Sequence, residues 1–159
     1  MKRTSIEETN RIRPGRYDTP PTREVPTGPV CVPRSREEYR SLLPGMTYRI
    51  LFEEGTEGAF SHPFHKNHQR GLYRCAACGQ PLFGSEAKYE SGTGWPSFYA
   101  PVHQEALTYE TDHKLFLPRT AIACSCCGGH IGHVFEDGPE PTGLRYCTNG
   151  TALSFEEDD

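Results

Sequence analysis

No apolar run in this 159-residue chain approaches the ~20 residues that span a bilayer, so neither a membrane span nor a membrane partner is expected. The N-terminal stretch "MKRTSIEETNRIRPGRYDTPPTREVPTGPV" lacks the apolar core of a secretory signal, and a cytoplasmic location is the expectation. A basic excess is missing too. Lys and Arg number 17 against 21 Asp and Glu, for a formal charge of −4 and a pI of about 6.0. Nothing here would hold a phosphate backbone, so nucleic acid is not an expected partner. Hydrophobic residues are scarce, at 35% of the chain. So small a core, among 16 Gly and 14 Pro, points to a turn-rich fold that needs a staple, and a structural metal is one kind.

Cysteine, by contrast, is plentiful: there are seven. Without a signal they point to a reducing compartment, where cysteines are more often metal ligands or catalysts than disulfides. "CAACG" holds Cys75 and Cys78, and "CSCCG" holds Cys124 and Cys127. Two residues between ligands let a tight turn aim both sulfurs at one metal. The glycines that follow, Gly79 and Gly128, permit the positive φ such a turn often needs. Two such knuckles supply a closed four-thiolate zinc site, which has no open position and is therefore structural. One or two redox-active pairs would be the rival reading, but no thioredoxin-like βαβ pattern flanks them. A set of Cys124, Cys127, His130 and His133 would strand Cys75 and Cys78. It would also ask strand positions three apart to face the same way.

Along the chain, residues 1–34 are polar and proline-rich, without helical or strand period, and are expected to be disordered. A domain is expected over 35–159. "SREEYRSLL" opens it with a capping box from Ser35 to Glu38, and Tyr39, Leu42 and Leu43 then share a face. Pro44-Gly45 breaks the helix. A second short helix carries Tyr48, Ile50, Leu51 and Phe52 and ends at Gly55. From Gly71 onward, "GLYRC", "HQEALTYET", "KLFLPRTAIAC", "HIGHVF" and "ALSFEE" read as short antiparallel strands between turns.

Setting the zinc ligands aside leaves Cys31, Cys126 and Cys147, the histidines and the only tryptophan, Trp95. A free cysteine with histidines elsewhere is a candidate nucleophile. By residue type alone, Cys147 could equally be a small buried hydrophobe. Trp95 could be plain core, and His130 and His133 could be structural.

"SGTGWPSF", "HIGHVFEDGPEPTGLRYCTN" and the two knuckles together resemble the B-type methionine sulfoxide reductases, over about residues 35–156 and with motif order kept. The resemblance implies a mainly β fold, a small barrel-like pair of antiparallel sheets with short N-terminal helices. One zinc bound by Cys75, Cys78, Cys124 and Cys127 would tie the two sides together. It implies reduction of methionine-R-sulfoxide, protein-bound or free, with Cys147 as nucleophile and a sulfenic acid as intermediate. His133 would be the acid and Asn149, two residues past Cys147, would hold the site's hydrogen bonds. Trp95 would wall the methyl group, with His130 beside it at the substrate. Thioredoxin or another thiol would restore a monomeric enzyme. The rival from another class is a non-catalytic zinc-stapled binding module; a zinc hydrolase would need an open metal position.

Three departures from the family pattern stand out. Gly150 replaces a common serine, "GAFSHPFHKNHQRG" is histidine-rich, and Thr93 sits where many members carry a resolving cysteine. Thr93 leaves direct reduction, or resolution by Cys31 or Cys126. Cys31 ranks ahead, because a disulfide needs Cα atoms within about 7 Å and a mobile tail can adjust to that.

Overall fold

The computed structural model describes residues 17–25, 31–114 and 117–159. Two short helices come first, α1 (Arg36–Leu42) and α2 (Gly45–Phe52). The capping box forms as expected: Ser35 Oγ accepts from Glu38 N–H, and Glu38 returns a carboxylate to Ser35 N–H. Tyr39 is buried, whereas Leu42 is 61% exposed and does not join it. α2 buries Tyr48, Ile50, Leu51 and Phe52. It ends with Glu54 in the left-handed region at φ 55, while Gly55 N–H closes onto Arg49 O at 3.0 Å.

Among the described residues nine strands follow: β1 (Gly71–Cys75), β2 (Pro81–Gly84), β3 (Lys88–Tyr89), β4 (Ser97–Phe98), β5 (Leu107–Asp112), β6 (Arg119–Cys124), β7 (His130–Phe135), β8 (Arg145–Thr148) and β9 (Leu153–Glu157). They form a three-stranded sheet, β2-β1-β9, and a six-stranded sheet, β3-β4-β8-β7-β6-β5. Every pairing is antiparallel. The fold is mainly β as expected, but the sheets do not close into a barrel. Each keeps its own edges, at β2 and β9 and at β3 and β5.

Between the sheets lies a core rich in aromatics. Phe83 stacks on Phe98 with centroids 4.3 Å apart, and Tyr73 meets Phe98 edge-on at 5.1 Å. Tyr146 is fully buried, and its hydroxyl is satisfied by Tyr109 at 3.0 Å, as a buried phenol requires. Within the segment read as disordered, residues 1–16 and 26–30 lie outside the described residues. Residues 17–25 lie against the domain: Tyr17 stacks on Tyr109 at 4.9 Å, and Arg23 bridges Glu86 and Asp158. Among the described residues no helix is long and apolar enough to cross a membrane.

Candidate active site and metal centre

The first knuckle follows β1 and the second follows β6, so the four sulfurs join strands of different sheets. Gly79 and Gly128 take φ of 83° and 80°, and their N–H groups bond Cys75 O and Cys124 O at 2.9 and 2.8 Å. The positive φ turns the chain back so that both sulfurs of a knuckle point inward. All four Sγ atoms lie within 4.8 Å of one another. Cys75 Sγ is 3.6 Å from that of Cys127, and Cys78 Sγ is 3.5 Å from that of Cys124. A zinc tetrahedron with 2.3 Å bonds has edges of about 3.8 Å, so the sulfurs fit such an ion. Gly129 N–H and Gln80 Nε2 reach Cys127 Sγ and Cys124 Sγ at 3.4 Å, donors that suit thiolates. His130 and His133 take no part in this cluster.

Cys147 sits in the six-stranded sheet, on β8. Its neighbours in register are Ser97 on β4 and His133 on β7. Directly opposite residues of an antiparallel pair bring their Cβ atoms to about 4.5–5.5 Å, so thiol and imidazole share one face. Both line a cleft of about 290 Å³ with Trp95, Phe135, Arg145 and Asn149. Arg145, two residues before Cys147, shares its strand face. Its guanidinium lies 4.4 Å over the Phe135 ring and pairs with Asp137. Burial pushes the Cys147 thiol up from its ordinary value, and the positive charge of Arg145 opposes that push.

His133 is held by Asp112 on β5, with Nε2 2.9 Å from Oδ2. Side-chain exposures of 13% and 11% shelter the pair from water. Asp112 is also opposite Arg119 in register and bonds it at 3.3 Å. The His133 hydrogen bond, and then the Lys114 N–H, hold the Asp112 carboxyl at about 2. It is therefore an acceptor at neutral pH, and His133 Nε2 carries the hydrogen between them. Burial pulls His133 below its ordinary value, with Asp112 opposing. A neutral His133 then has Nδ1 as a proton acceptor.

Asn149 is not on the strand. β8 ends at Thr148, and Asn149 opens a 3-10 turn. It is 4% exposed. Its Oδ1 accepts from Glu57 N–H at 3.0 Å and its Nδ2 donates to Ile131 O at 3.2 Å, which fixes the amide's orientation. Trp95 is half-buried and donates Nε1–H to Glu57 O at 3.0 Å.

His130 differs from expectation. A bulge opposite Ile122/Ala123 breaks the alternation of β7, and the two histidine rings meet edge to face at 5.3 Å. Yet His130 lies beyond the end of β8, whose Thr148 pairs with Gly132. It lines a neighbouring polar cleft with Glu54, Asp112 and Lys114, and burial pushes it down to about 4. Cys31 differs as well. It is disulfide-bonded to Cys126 with Cα atoms 6.4 Å apart, and Val32 N–H bonds Cys78 O. Both sulfurs are thus engaged with each other beside the metal cluster, and neither is brought to Cys147. Thr93 does line the Cys147 cleft.

Two departures from the family pattern fit together. A Cβ at position 150 would lie 2.7 Å from the His62 ring, so the imidazole fills the space that a serine there would need. Asp112, Arg119, Arg145 and Glu57 were missed by sequence reasoning. Only Arg145 carried a signal, its i, i+2 spacing to Cys147.

Two antiparallel sheets joined by four cysteines thus frame a cleft in which one thiol faces a histidine beside aromatic rings. The SelR domain family matches residues 43–157. A peptide methionine sulfoxide reductase MsrB of Methanosarcina mazei is 47% identical over 128 residues, 80% of this chain and 91% of that one. The MsrB of Leptospira interrogans is 51% identical over 127 residues, 80% and 97% of the two chains. The mouse methionine-R-sulfoxide reductase B3, mitochondrial, is 44% identical over 121 residues, 76% of this chain and 48% of its own. The chain belongs to the B-type methionine sulfoxide reductases.

Proposed function

We infer that the protein reduces methionine sulfoxide, the R epimer in particular, through attack by Cys147 on the sulfoxide sulfur. One observation carries the residue assignment: Cys147 and His133 are paired in register on adjacent strands, on the wall of the cleft that Trp95 also lines. Because burial keeps the thiol protonated, a base must take its proton, and His133 Nδ1 is available for that. The imidazolium so formed keeps Nε2–H on Asp112 and returns the proton to the sulfoxide oxygen as negative charge develops there. The S–O bond breaks as oxygen passes to sulfur of Cys147. The thioether leaves, and Cys147 becomes a sulfenic acid. Trp95 and Phe135 offer apolar walls for the methyl and methylene groups.

Two electrons then restore the thiol, with the sulfenic oxygen leaving as water and two external thiols joining as a disulfide. No second thiol lines the cleft among the described residues, which favours direct reduction by thioredoxin or a similar dithiol over resolution by Cys31. Cys75, Cys78, Cys124 and Cys127 hold a structural zinc that fastens the two sheets. Repair of oxidised proteins by a cytoplasmic monomer completes the reading.

Turnover of separated R and S epimers by the intact protein and by Cys147→Ser tests it. The R epimer is consumed by the intact protein alone; equal use of both epimers, or an active Cys147→Ser variant, rejects the assignment.

A further inference from the structure

Glu57 lies between α2 and β1, outside every motif that the sequence singled out. It is 4% exposed and touches the site through both its side chain and its main chain. The carboxylate accepts from Gly150 N–H at 2.9 Å, from Thr151 N–H at 2.8 Å and from the Thr151 hydroxyl at 2.8 Å. The main chain gives its N–H to Asn149 Oδ1 and its carbonyl to Trp95 Nε1, each at 3.0 Å.

These contacts divide the work. Any residue but proline at position 57 offers the same N–H and C=O. What glutamate adds is the anchor, because its carboxylate ties that main chain to the two residues after Asn149. The segment needs one. Glu54 and Phe60, on either side, hold φ of 55° and 63°, and non-glycine residues keep such conformations only where their surroundings over-determine them. Phe60 N–H on Gly94 O, at 2.8 Å, fastens the far end of the segment to the Trp95 loop. A carboxylate suits the task because all three groups that face it are donors, and charge-assisted bonds are the stronger kind.

We propose that Glu57 is a positioning residue of the sulfoxide pocket, whose carboxylate pins the main chain that orients Trp95 and Asn149. This rests on the pocket being the site of sulfoxide reduction. With Asn149 Oδ1 held by Glu57 and one Nδ2 hydrogen held by Ile131, the second Nδ2 hydrogen has a defined direction. With the indole N–H fixed, the ring cannot swing across the cleft. Loss of the anchor loosens both groups together, although neither touches the carboxylate.

Glu57→Gln tests this, since it keeps shape but sets an NH2 donor against a donor. Trp95 is the only tryptophan of the chain, so its fluorescence reports the pocket wall alone. Acrylamide quenching of Trp95 is measured beside kcat and KM for the R sulfoxide, under conditions where circular dichroism shows full folding. The expected result is easier quenching of Trp95 together with a fall in kcat/KM of roughly tenfold or more, the scale of a small misplacement in an active site. A merely structural role lowers the melting temperature and leaves both readouts at wild-type values at assay temperature. That result overturns the proposal, as does a change in one readout without the other. If Glu57→Gln does not fold, Glu57→Asp, which withdraws the anchor by one methylene, is judged by the same two readouts. An intact protein without sulfoxide turnover sinks the functional reading, while the quenching comparison still decides whether Glu57 holds Trp95.

Discussion

Replacing Asp112 by Asn probes the proposed proton path at a sheltered link, a side chain 11% exposed. In the intact protein, burial pulls His133 down and the Asp112 carboxylate, 2.9 Å from Nε2, pulls it up. Asp112→Asn keeps the size and an acceptor but removes the charge. Arg119, which bonds Asp112 at 3.3 Å, then loses that carboxylate, and its own charge also disfavours an imidazolium. Both changes lower the His133 pKa further. A hydrogen bond to a charged group contributes about 1.5–3 kcal/mol. At about 1.4 kcal/mol per tenfold, losing it for the imidazolium costs kcat/KM roughly 10- to 150-fold near neutral pH. The pH profile gives the sign. The limb on which kcat/KM rises with pH reports loss of the proton from the His133 imidazolium, since only the neutral ring can accept the thiol proton, so it moves to lower pH in the variant, and the deficit shrinks as the medium is acidified. The assay is kcat/KM for the R sulfoxide with excess dithiol, across the acid and neutral range. A variant within about twofold of wild type, with its limb unmoved, would show that His133 does not cycle through the imidazolium. The same substitution has a stability sign. Asp112 titrates near 2 rather than at its ordinary 3.8. Its contribution is therefore complete above the ordinary value, is lost as pH falls toward about 2, and is absent from Asp112→Asn throughout.

Removing a metal ligand by Cys124→Ser, or zinc by a strong chelator, will release the two sheets from each other, because structural metal binding is folding free energy. Metal content and protease resistance read this, and a stable, metal-free Cys124→Ser protein would refute it. Thr93→Cys places a thiol in the cleft of Cys147. After one turnover without reductant, peptide mapping will find a cross-link between position 93 and Cys147, whereas the intact protein keeps a trappable sulfenic acid. Thiol titration of unreduced, denatured, metal-free protein will count the five cysteines Cys75, Cys78, Cys124, Cys127 and Cys147, and all seven only after reduction. A count of seven at the start would mean that Cys31 and Cys126 are not bonded.

What could be read from the sequence is what depends on neighbours along the chain. The capping box needs only Ser35 and Glu38, and each knuckle needs two cysteines and a following glycine. Strands β1 and β7 announce themselves by composition within one segment. β2 was not anticipated, since "PLFG" is short and its first residue is proline, which lacks the N–H that marks a paired strand. The site depends on register, and register is long-range. His133 stands opposite Cys147, and Asp112 opposite Arg119, only because β5, β6, β7 and β8 lie in one sheet in that order. No spacing within a strand encodes such a pairing. Asn149 makes the point most sharply. On a regular strand it would share the face of Cys147, two residues on, and hold the site's hydrogen bonds from there. The strand instead stops at Thr148, and that single break turns the amide inward to Ile131 and Glu57, residues 18 and 92 positions away. The proposed chemistry sits on local motifs, whereas the groups that aim it come from distant segments. Substitutions at Asp112 and Glu57, which carry no motif, therefore test the proposed mechanism more severely than substitutions at the cysteines that do.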